Sequence, residues 1–146
     1  MTTAMNVAKY FLSLQDEEAG DTISNMKLQK LLYYAQAYHL VEFREPLFED
    51  SIEAWTHGPV VPAVYHDFKR YGPGAIPLAD DAVELDERTT AYLNEIYRTY
   101  GQFSAWKLSK MTHEESPWRE AWETDKRITN ERLLDFFDAD VVEDSN

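Results

Sequence analysis

The sequence contains no cysteine, which excludes disulfides, thiolate metal sites and a cysteine nucleophile and suits a reducing compartment. It has few glycines, five in all, and no phosphate-cradling Gly-rich loop; Gly72-Pro73-Gly74 reads as a turn. No apolar stretch approaches the roughly 18 residues that a membrane span needs. The N-terminus, MTTAMNVAKYF, lacks the basic segment and unbroken apolar run of a secretory signal. A soluble, cytoplasmic protein is expected. Positive charge is scarce too. Fourteen Lys and Arg stand against 27 Asp and Glu, a formal charge of −13. Phosphate backbones and anionic membranes are held by Lys and Arg that displace counterions, so direct nucleic-acid or membrane binding is not expected. Electrostatic steering favours basic partners; the same charge also serves solubility.

What is abundant is apolar and aromatic surface, 44% and 14% of a 146-residue chain. That is enough for one self-sufficient domain, which at this length buries roughly 70% of the surface its unfolded chain exposes. Val7, Tyr10, Phe11 and Leu14 fall at helical spacing within residues 3–14, followed by a polar break at 15–21. Ser24 reads as an N-cap with Ile23 and Leu28 as a hydrophobic staple, opening a helix to about His39. Leu47-Phe48 and Ile52–Trp55 read as a hairpin around Glu49-Asp50-Ser51, with Gly58-Pro59 as punctuation. Pro62 fits the first turn of a helix carrying Val64, Tyr65 and Phe68, with Gly72 as its C-cap. Residues 72–85 form a connector with room for one short extended piece. Asp86 caps a helix ending at Gly101, and Phe103-Ser104 with Leu108 repeats the staple. Ser116-Pro117 reads as an N-cap followed by proline at the first helical position, in a short helix holding Trp118, Ala121 and Trp122. Thr129 caps a last helix with Leu133, Phe136 and Phe137. The predicted fold is mainly α (α+β): six to seven helices and a small β-hairpin or short sheet in one compact domain over 1–137, with an acidic, frayed tail at 138–146.

Few residues announce chemistry. Among His39, His57, His66 and His113 no pair has the i, i+4 spacing of a helical zinc site. There is no nucleophile elbow and no kinase signature. No metal, cofactor or catalytic residue is expected. Three segments are unusual. In the first, Lys27, Lys30 and Tyr34 share one helical stripe (i, i+3, i+7), either an outward contact face or an ordinary solvated one with half-buried tyrosines. In the second, Glu53–Tyr65, two prolines and Gly58 make a rigid corner. It either presents Trp55, His57 and Tyr65 to a partner or packs them as a tight connection. The third, Leu108–Trp118, joins two short helices. Thr112 or His113 is placed to satisfy backbone groups there, with Trp118 in the core.

Together, KLQKLLYYAQ (27–36), EAWTHGPVVPAVY (53–65) with Tyr71-Gly72, and Leu108…Thr112-His113-x-x-x-Pro117-Trp118 resemble the Panacea antitoxin domain, also called the SocA-like or phage-associated GepA-like family. The resemblance spans about residues 5–137. It implies a compact helical domain with a small sheet, encoded in toxin–antitoxin operons or prophages, that neutralises an accompanying protein toxin by direct binding. Some members carry an added DNA-binding region. Here only a few residues precede the domain and a short acidic segment follows it, so no such module is expected. The family supplies no catalytic set to carry over. Lys27, Lys30, Tyr34, Trp55, His57, Tyr65, Thr112, His113 and Trp118 are the candidate contact residues for a toxin with a basic surface. Alternative readings are an adaptor delivering a client to a protease, a phage regulator of a host factor and, last, a small hydrolase using His57 or His113.

Overall fold

A computed structural model describes residues 1–78 and 83–144, with side chains to residue 139. Among these residues there are seven α-helices and one three-stranded antiparallel sheet. Helix α1 (Ala4–Ser13) starts on Thr3, whose hydroxyl accepts from the Asn6 N–H, and buries Ala4, Val7, Ala8, Phe11 and Leu12 on one face. Helix α2 (Asn25–Phe43) starts on Ser24 as the cap and ends on Arg44 in the left-handed region, a turn beyond the expected end at His39. Strands β1 (Ile52–Trp55) and β2 (Gly58–Val60) lead into α3 (Pro62–Phe68), a 3-10 turn at Lys69–Tyr71, and Gly72 at φ +57°. Helices α4 (Glu87–Tyr100) and α5 (Ala105–His113) are capped by Asp86 and Ser104, as their sequences predict. Then come α6 (Ser116–Glu123), β3 (Arg127–Ile128) and α7 (Asn130–Asp144).

Helix α2 is the axis of the domain and packs against α1, α3, α4, α5, α7 and β2. Fourteen of its 19 residues are buried, including Asn25, Lys27, Gln29, Lys30, Gln36 and His39. A polar residue inside a core is tolerated when its hydrogen bonds are met. Among the described residues, every buried side-chain nitrogen and oxygen has a partner. Gln36 shows the principle: its Oε1 accepts from the N–H groups of Leu47 and Phe48, and its Nε2 donates to the Phe48 carbonyl.

That arrangement corrects the expected hairpin. Leu47 and Phe48 do not form a strand, because their backbone is taken up by Gln36 and their side chains are buried. The hairpin pairs Ile52–Trp55 with Gly58–Val60 across a two-residue turn at Thr56-His57, in the register Glu53↔Val60, Ala54↔Pro59, Trp55↔Gly58. Gly58-Pro59 therefore lies within a strand. β2 is an edge strand, where proline's missing N–H costs no ladder bond. β3, unforeseen in the sequence, pairs with β1 from the other side and sets the order β2-β1-β3.

Three smaller differences have local causes. Ser116 is the first helical residue of α6, with Glu115 in the cap position and extended (ψ 140°). The connector has its extended piece at Ala75, bridged to Ser24, and Ile76, whose N–H donates to the Ile23 carbonyl; its residues 79–82 lie outside the described residues. Helix α7 runs past Phe137 to Asp144 through most of the expected tail, with Arg44 forked onto Asp138 at 3.0 and 3.1 Å. Residues 145–146 lie outside the described residues. No helix among the described residues is long and apolar enough to cross a membrane.

Candidate docking groove

The first unusual segment faces inward. The Lys27 ammonium donates to the Gly101 carbonyl at 2.6 Å, at the C-terminal end of α4. The Lys30 ammonium donates to the Pro59 carbonyl at 3.1 Å. Tyr34 is fully buried and stacks on Tyr100 with ring centroids 4.1 Å apart. The expected outward stripe is thus corrected: most of α2 is buried, and the two lysines use their aliphatic stems to cross the core and end on carbonyls. Burial lowers the pKa of both. Asp21 partly offsets this for Lys27, while Lys30 is pushed down to about 7.

The second and third segments lock onto the first. Gln29 accepts from the Val61 N–H and donates to Asn25, which in turn donates to the Tyr65 carbonyl. The Tyr33 and Tyr34 hydroxyls both donate to the Glu115 carboxylate, at 2.9 and 3.0 Å. Burial first, and then Glu115, hold both phenols well above their ordinary range. Ser109 donates to the His57 carbonyl and Trp118 to the Trp55 carbonyl. His113 places Nε2 2.8 Å from the Thr56 carbonyl and Nδ1 2.6 Å from that of Ser109. Thr112, fully buried, donates to the same Ser109 carbonyl. Thr112, His113 and Trp118 thus brace the hairpin from behind, as the sequence allowed.

In front of the hairpin lies a groove of about 740 Å³, bounded by α2, the β1–β2 hairpin, α3, the 3-10 turn and α6. Of the nine candidate residues it brings together Lys30, Trp55, His57 and Tyr65. Trp55 and Tyr65 meet edge-to-face at 4.9 Å in its wall. Sequence reasoning missed Met26, Lys69, Trp122 and Lys126, which also line it. The sequence places Trp122 only in the short helix with Trp118 and Ala121. It stacks on Trp118 at 5.3 Å, but as an outer layer that remains 36% exposed. No sequence signal marks Lys69 or Lys126, which reach the groove from separate elements. No group of His, Cys, Asp and Glu among the described residues could hold a metal ion.

The three interlocked segments lie almost wholly within residues 28–119, the stretch matched by the family described as "Antitoxin SocA-like, Panacea domain". The chain belongs to this family. It is similar to Antitoxin SocA of Caulobacter vibrioides (strain NA1000 / CB15N), at 34% identity over 109 residues, 66% of this chain and 58% of that protein. The chain thus matches less than two thirds of that relative's length. No solved structure matches it significantly. In this member of the SocA-like family, the motif residues mostly build the scaffold behind the hairpin, and the groove in front of it is the open face.

Proposed function

We propose that this chain is an antitoxin that neutralises a cognate protein toxin by binding it directly, in a stoichiometric complex and without catalysis. The observation that carries the reading is membership of the SocA-like antitoxin family across residues 28–119. Two features support it. The chain is strongly acidic, which favours encounter with a basic partner surface. The groove also leaves apolar side chains, Met26 and Trp122 among them, uncovered, and large aromatic residues are the usual anchors of protein interfaces. The hydrolase alternative loses one of its two histidines, because both ring nitrogens of His113 already face carbonyl oxygens.

Co-expression with the product of the adjacent reading frame tests the proposal. The expected outcome is restored growth together with a one-to-one complex that survives affinity capture and gel filtration. Restored growth with no complex at micromolar concentrations would refute sequestration.

A further inference from the structure

The groove gathers positive charge on a chain that has little of it. Lys69 and Lys126 line it as exposed cations, with Lys30 buried in its floor. The carboxylate in the lining, Glu53, already accepts from the Trp55 indole at 2.9 Å. Lys126 is fixed in place by a left-handed backbone (φ +65°), by an ammonium bond to the Trp122 carbonyl and by its position 3.8 Å from the Trp122 ring centroid. Lys30 is 1% exposed and ends on the Pro59 carbonyl, and burial lowers its pKa to about 7, so the groove's charge comes from Lys69 and Lys126. The remaining lining is largely apolar and aromatic.

These features restrict the occupant. A basic segment would set like charges against Lys69 and Lys126, and a purely apolar one would desolvate them with nothing in return. Strand addition is closed off, since β2's outer edge is already occupied: Ser109 binds the His57 carbonyl, Lys30 the Pro59 carbonyl and Gln29 the Val61 N–H. We propose that the groove seats one segment of the toxin, and that this segment is apolar and carries an aspartate or glutamate side chain facing Lys69 and Lys126. The inference rests on the direct-binding reading. It adds that the anchor has the opposite polarity to the basic surface that the acidic exterior attracts, so the two charge patterns together fix the register of the complex.

The test measures the affinity of the full chain for the adjacent reading frame's product by calorimetry. Two double charge reversals with equal net charge are compared, Lys69→Glu/Lys126→Glu in the groove and Lys107→Glu/Lys110→Glu on the exposed face of α5. Lys69→Glu alone, on the exposed 3-10 turn, guards against misfolding at Lys126, and thermal midpoints are recorded for all. The groove reversal is expected to weaken binding at least about tenfold and Lys69→Glu by about threefold or more, whereas the α5 reversal, which only makes the exterior more acidic, is expected not to weaken it. Equal effects of the two double reversals, or none from the groove reversals, would overturn the groove assignment while leaving direct binding intact. Failure of the unaltered chain to bind would overturn direct binding and the groove together. Light scattering of the chain alone covers the other occupant: a dimer that Lys69→Glu/Lys126→Glu disperses would give the groove to a second copy and overturn the proposal.

Discussion

His57 and His113 sit on opposite sides of one turn, and only one of them holds it. The His57 side chain is exposed on the groove rim, and it is the His57 backbone carbonyl that Ser109 binds. His113 connects the Ser109 and Thr56 carbonyls through its two ring nitrogens and packs on Trp118 with ring centroids 4.1 Å apart. Removing an exposed side chain with no hydrogen bond costs little, whereas removing one that hydrogen-bonds a backbone carbonyl costs about 1–2 kcal/mol. His57→Ala is therefore expected to leave stability within about 0.5 kcal/mol of the parent and to weaken toxin binding through the groove. His113→Ala should lower stability by about 1–2 kcal/mol. Denaturant midpoints and affinities taken on the same samples separate the two. A stable His57→Ala chain with unchanged affinity would remove His57 from the contact.

The hairpin depends on a close approach that only glycine permits. Gly58 has φ +118°, and a Cβ there would stand 2.7 Å from Lys30 Cε and 2.8 Å from Thr112 Oγ1. Both neighbours are pinned, Lys30 by the Pro59 carbonyl and Thr112 by that of Ser109. Gly58→Ala combines backbone strain of about 1–3 kcal/mol with this clash, so a loss of at least about 2 kcal/mol is expected in thermal or denaturant unfolding. A loss under about 1 kcal/mol would mean that the hairpin can shift away from α2. The same contacts explain what the sequence did and did not disclose about the elements. The caps at Ser24, Asp86, Ser104 and Thr129 and the proline in α3's first turn were legible because each acts within four residues. The hairpin register was not. It turns on Gln36 capturing the backbone of Leu47 and Phe48, and on Lys30 and Gln29 reaching β2 some 30 residues away. The orientation of α2 was hidden for the same reason. Its lysines and glutamines look like a solvated stripe until their distant backbone partners are in place.

For the whole molecule, the proposed complex divides recognition between charge and shape. The family and the α+β class could be read from three motifs in order, yet those motifs mostly form scaffold. The open groove adds Met26, Lys69 and the neighbouring pair Trp122 and Lys126 from three different places in the chain, a convergence that no local pattern announces. On that proposal a partner meets the net charge of −13 at long range, and at contact aromatic walls with Lys69 and Lys126. These two stages respond differently to salt. The Debye length is about 8 Å at 0.15 M and about 3 Å at 1 M, so added salt weakens the approach of a basic surface far more than it weakens pairs enclosed in a filled groove. Surface ion pairs such as Arg44–Asp138 and Arg98–Glu95, exposed on both sides, add little stability at any salt, so the fold itself should tolerate the change. Stopped-flow association with the toxin is therefore expected to slow severalfold between low and high salt, with a smaller change in the dissociation rate. Lys107→Glu/Lys110→Glu, which makes the exterior more acidic without touching the groove, should speed association at low salt and lose that advantage at high salt. An association rate indifferent to salt in both chains would eliminate steering and leave the groove to account for recognition alone.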